Sequence, residues 1–85
     1  MAHLNGRNAI VTGGARGIGR AIAAELAAHG AGVAICDVLE DEVAAAAGEL
    51  TSEHSVTAKG YAVDVSDSAQ VGDFVSSVNE EFGSI

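Results

Sequence analysis

Three short apolar runs, "RNAIVT" (Arg7–Thr12), "GVAICD" (Gly32–Asp37) and "TAKGYAVD" (Thr57–Asp64), each lead into a stretch with helical spacing. Runs this short, bounded by turn residues and apolar at successive positions, suit strands covered on both faces. The stretches between them repeat apolar residues every third or fourth position. They are Ile18, Ile22 and Leu26, then Val43, Ala47 and Leu50, then Val71, Phe74, Val75, Val78 and Phe82. Asp67 and Gln70 precede the third stripe as a capping box. The connections are too short for anything except right-handed crossovers between parallel strands. The expected fold is α/β: a doubly wound parallel sheet, present as its first βαβαβα half, with strand order 3-2-1.

On that topology the third helix should carry the chain to a fourth strand beside the first. The sequence reaches "FGSI" instead, which leaves the first strand as an unpaired apolar edge. Ile85 is therefore not expected to be a natural boundary, and residues 1–85 are read as the N-terminal part of a single domain. The alanine-rich stretches "AIAAELAA" and "EVAAAAGEL" suit helices that lie close on a sheet.

Composition narrows the partners. Apolar residues make up 48% of the chain and charged residues 19%, with no proline, which is material for packing rather than a disordered tail. A net charge of -8 has the wrong sign for gripping nucleic acid or an anionic membrane surface. The opening "MAHLNGRNAI" lacks the charged front and apolar stretch of a secretory signal, so a cytoplasmic protein is expected. Cys36 stands alone and reads as a small core residue. His3, His29 and His54 are scattered without metal-ligand spacing, and Glu40, Asp41, Glu80 and Glu81 read as solvated helix faces. No metal site is expected.

Between the first strand and the first helix lies "TGGARGIG", residues 12–19. A glycine-rich turn there aims backbone N–H groups and the positive end of a helix dipole at one point, which suits a pyrophosphate. Gly13, Gly17 and Gly19 can serve a tight turn, a close ligand approach and a close helix–sheet contact. The spacing is G-x-x-x-G-x-G rather than G-x-G-x-x-G, and no G-K-[ST] follows to make an ATP or GTP loop. A plain strand-to-helix turn is the competing reading. Asp37 favours the first, because a carboxylate ending the second strand can accept hydrogen bonds from ribose hydroxyls and repel a 2′-phosphate.

These residues resemble the short-chain dehydrogenases/reductases, a Rossmann-type family. "TGGARGIG" is similar to the family's T-G-x-x-x-G-x-G motif, with Thr12, Gly13, Gly17 and Gly19 on the fixed positions, and "DVSD" at 64–67 is similar to its segment after the third strand. The resemblance implies that Arg16 and the Ile18 backbone lie along the pyrophosphate and adjoining ribose. It likewise implies that Asp64 meets the adenine amino group and the Val65 backbone faces the adenine ring; for Asp64 a cap or turn role is the alternative. A basic residue at Arg16 resembles members that prefer NADP, whereas Asp37 argues against the extra phosphate, so NAD is expected over NADP.

The family's catalytic N-N-A-G segment, serine and Y-x-x-x-K pair have no counterpart here. Tyr61 is the single tyrosine, position 65 is valine rather than lysine, and Tyr61 reads as a packing residue. The resemblance thus implies an NAD(P)-dependent oxidoreductase moving hydride between nicotinamide and a secondary alcohol or ketone. This chain would supply its adenosine- and pyrophosphate-binding half and be inactive alone. The small-molecule substrate, a sugar, polyol, steroid or 3-oxoacyl thioester, and a homo-oligomeric state would belong to the complete protein. The alternative is a non-catalytic nucleotide-binding module that needs a partner chain to complete its sheet.

Overall fold

β2 (Gly32–Asp37) organises the molecule, and the computed structural model, which describes residues 6–83, shows why its sequence is apolar without alternation. It pairs in parallel with β1 (Asn8–Thr12) on one side and β3 (Ala58–Ala62) on the other, and every residue from Gly32 to Cys36 is buried. Successive side chains leave opposite faces of a strand, so β2 supplies two cores. Val33 and Ile35 join Val11 beneath α1 (Gly17–Ala28) and α2 (Glu40–His54), where Ala23, Ala27, Val43, Ala46, Ala47 and Leu50 complete the cluster. Ala34 and Cys36 face α3 (Ser68–Phe82) and pack with Val63, Phe74 and Val78. Fully burying a side chain such as Ile35 or Leu50 contributes about 1.5–3 kcal/mol each.

Across the sheet the strands run β1-β2-β3, the same neighbours as the expected 3-2-1 counted from the other edge, and the correction falls on the doubly wound sheet. The chain moves one place in the same direction at each crossover, and the reversal that defines a doubly wound sheet does not occur among these strands. That reversal requires a strand on the far side of β1, and among the described residues β1 pairs only with β2. α3 does cross the second face. Its end reaches the start of β1, where Asn8 Nδ2 donates to the Phe82 carbonyl at 3.2 Å.

The helices follow their predicted stripes unevenly. α2 buries Val43, Ala47 and Leu50 as its spacing predicts, and α3 buries Phe74 and Val78 while leaving Val75 39% exposed. α1 departs from expectation: Ile18 and Ile22 are 81% and 48% exposed, and Ala23 and Ala27 meet the sheet instead. Small side chains let this helix lie close to β1 and β2, which turns its bulkier residues outward. At α3, Asp67 caps as predicted, accepting from the N–H groups of Ala69 at 3.0 Å and Gln70 at 3.3 Å. Gln70 does not close the box: its Nε2 donates to Asp67 at 3.2 Å, while its Oε1 accepts from the Asp64 N–H at 2.9 Å. His3 and the boundary at Ile85 lie outside the described residues.

Candidate functional site

The C-terminal ends of all three strands open on the same edge of the sheet, and the glycine turn sits at the first of them. Gly13 and Gly17 have φ of 64° and 66°, in the left-handed region that side-chain-bearing residues rarely enter. A Cβ at Gly19 would fall on the Gly13 carbonyl, so the first turn of α1 and the preceding loop touch backbone to backbone. Gly14 donates its N–H to the Cys36 carbonyl at 3.2 Å, tying the turn to the end of β2.

α1 begins without a cap. Arg16 at the N-cap position makes no side-chain hydrogen bond to the helix, and the first turn holds no acidic residue. The free N–H groups and dipole of such an end favour an anion. α3 is satisfied by Asp67, and α2 carries Glu40, Asp41 and Glu42 in its first turn. Of the three helices described, α1 is thus the one that starts with neither a side-chain cap nor an acidic first turn.

Asp37 reaches over this turn. Its Oδ2 accepts from the Ala15 N–H at 3.3 Å and its Oδ1 from the Leu39 N–H at 3.2 Å, which fixes a half-buried carboxylate against the glycine loop. Arg16 is 69% exposed, and its guanidinium lies 3.8 Å from Glu42 at the start of α2. Beneath them, burial first and then the charge of Asp37 push the Cys36 thiol up, opposed by the Gly13 backbone. Cys36 is a packed, protonated core residue.

Asp64 and Val65 stand beyond the end of β3, where the Val63 N–H donates to the Asp37 carbonyl at 3.0 Å and keeps the two strand ends adjacent. Asp64 turns its carboxylate to Ser66, accepting from its N–H at 2.9 Å and its hydroxyl at 2.6 Å. Those contacts hold its carboxyl below the usual carboxylate range. The structure thus joins the glycine turn directly to Asp37, and places Asp64 and Val65 one strand further across without a hydrogen bond to either.

Two residues at this edge escaped the sequence reading. Val38, 63% exposed, follows Asp37 as Val65, 59% exposed, follows Asp64, so the ends of β2 and β3 present a pair of apolar side chains to solvent. An apolar residue directly after a strand-terminal aspartate was the available signal. Glu42 is the second, and nothing in its helical surroundings marked it.

Tyr61 lies away from the turn. Its ring packs edge-on against Phe74 with centroids 5.0 Å apart. Its buried hydroxyl, near the charge of Glu81 yet without a well-formed hydrogen bond, is pushed up to about 12, chiefly by burial. Glu81 pairs with Lys59 and His29 with Glu25. Among the described residues no three His, Cys, Asp or Glu side chains gather as metal ligands, and no helix is long and apolar enough to cross a membrane.

A parallel α/β sheet with an uncapped glycine turn at its strand ends and a carboxylate fixed against that turn defines a Rossmann-like protein. The chain belongs to the short chain dehydrogenase family, whose family model matches residues 7–85. It is 40% identical over 85 residues to L-rhamnose 1-dehydrogenase (NADP(+)) of Thermoplasma acidophilum, covering 100% of this chain and 34% of that protein. The structure of NAD+-bound xylitol dehydrogenase is similar with a TM-score of 0.93 and 34% identity, over 98% of this chain and 32% of the other. The L-sorbose reductase of Gluconobacter frateurii, complexed with NADPH and L-sorbose, gives a TM-score of 0.91 at 34% identity, over 96% of this chain and 31% of the other. The chain spans about a third of the length of each.

Proposed function

We propose that this chain holds the adenosine and pyrophosphate of NAD within an oxidoreductase that interconverts a secondary alcohol and a ketone. The bond between the Asp37 carboxylate and the Ala15 N–H carries the reading, because it sets a ribose-hydroxyl acceptor against the loop suited to pyrophosphate. Gly13 and Gly17 shape the turn and Gly19 lets α1 approach it, which supports an anion at the uncapped start of this helix, on the N–H groups of Gly17, Ile18 and Gly19. The exposed side chains of Val38 and Val65 flank the space beyond Asp37 for an adenine ring, with Asp64 at its rim. Nicotinamide, when bound, supplies the hydride chemistry. No serine, tyrosine and lysine set for the proton step can be drawn from these residues, so the chain acts as the holder and that step falls to other parts of the complete protein.

The relatives reported above are named for L-rhamnose, xylitol and L-sorbose, which favours a sugar or polyol as the substrate. Their names carry NAD and NADP between them, so the preference for NAD rests on Asp37 and not on the relatives. Removing its charge tests the reading. In the purified protein carrying this chain, Asp37→Ala should weaken NAD+ binding by about 10- to 100-fold, the worth of hydrogen bonds to a charged acceptor, and raise the affinity for NADP+ relative to NAD+. Calorimetric titration of both cofactors measures it. An unchanged ratio removes Asp37 from the ribose site and the reading with it.

A further inference from the structure

We infer that Glu42 is a positioning residue for cofactor choice, disfavouring NADP by holding the guanidinium of Arg16; this rests on the dinucleotide reading above. A 2′-phosphate beside Asp37 needs a cation. Of the described lysine and arginine side chains, Arg7 precedes β1 at the opposite edge of the sheet, Arg20 is paired with Glu49 at 3.2 Å, and Lys59 on β3 is paired with Glu81 of α3. Arg16 alone stands at the glycine turn, and it faces Glu42 at 3.8 Å.

The pair is one of two that cross between α1 and α2 on the same seam, the other being Arg20 with Glu49, two turns further along α2. Only the Arg16 pair lies at the strand-end edge where Asp37 sits. To meet a 2′-phosphate, Arg16 must exchange a carboxylate for the phosphate, and the carboxylate then remains at the start of α2, unpaired and repelling the incoming dianion. NAD requires neither step. Both members are largely exposed, at 69% and 49%, so the pair contributes little to folding and its effect on selectivity stays modest.

The experiment measures dissociation constants for NAD+ and NADP+ in the protein carrying this chain. Glu42→Gln should tighten NADP+ by about 3- to 5-fold and leave NAD+ within about 2-fold, with the gain shrinking as salt rises. Arg16→Ala should erase the gain when combined with Glu42→Gln, and Glu49→Gln should leave both constants unchanged. An unchanged NADP+ constant in Glu42→Gln overturns the inference. So does a gain that survives Arg16→Ala, since Glu42 would then act on the phosphate directly, or an equal gain in Glu49→Gln, which would trace the effect to helix docking. Failure of the unsubstituted protein to bind either dinucleotide sinks the underlying reading instead, an outcome distinct from NAD+ binding with an unresponsive ratio.

Discussion

Gly19→Ala isolates the geometric requirement of the turn. The added Cβ would fall on the Gly13 carbonyl, 2.8 Å from its carbon and 3.3 Å from the Gly14 Cα. Comfortable carbon–carbon contact begins at about 3.5 Å, so α1 must retreat from the loop by about 1 Å. Every atom met is backbone, and no rotamer change relieves the clash. Overpacking of this kind costs about 1–3 kcal/mol of stability. The same retreat misaims the N–H groups at the start of α1, and we expect dinucleotide affinity to fall by about 10- to 100-fold, equivalent to about 1.4–2.7 kcal/mol. Titration calorimetry with NAD+ and urea unfolding, run on the same protein preparation, separate the two effects. Gly48→Ala is the control: it lies in α2, a Cβ there meets no atom within 4 Å, and the change should leave binding intact while stabilising the helix by up to about 1 kcal/mol. Binding by Gly19→Ala within about 2-fold of the unsubstituted protein would refute the close-approach argument.

Two further outcomes test the scaffold. Asp67→Ala removes the acceptor for the Ala69 and Gln70 N–H groups and should lower stability by about 1 kcal/mol in urea unfolding, with Asp67→Asn recovering most of it; equal stability of all three would deny the cap its role. Tyr61 is raised to about 12 by burial and by Glu81, so its contribution is full below the unfolded value of about 10 and is lost as pH climbs from about 10 to about 12. Stability curves of the unsubstituted protein and Tyr61→Phe should therefore diverge only in that alkaline window, and parallel curves would place the hydroxyl in water.

Local patterning made the element order legible. β2 was readable to the residue because a strand sandwiched between two helix layers tolerates apolar side chains at every position. The α2 stripe and the Asp67 cap were equally plain, since both depend on contacts within a few residues. α1 misled for a physical reason: periodicity names an apolar face but not which face meets the sheet. Ala23 and Ala27, lacking bulk, won the closer approach and left Ile18 and Ile22 outside. The winding of the sheet also lay beyond pattern, because ladders join residues far apart in sequence, and the reversal of the expected doubly wound sheet does not occur among β1, β2 and β3.

The site divides along the same line. The alternation of apolar runs with helical stripes, the glycines of residues 12–19 and an aspartate closing the second strand are properties of the sequence, and by themselves they determined the α/β element order and the place of its glycine turn. That the Asp37 carboxylate is fixed to the turn at Ala15, that Gly19 lies against the Gly13 carbonyl, and that Glu42 faces Arg16 were decided only when the crossovers brought strand ends and helix starts to one edge. Each of these contacts joins separate elements, and their distances depend on how closely α1 and α2 settle on the sheet.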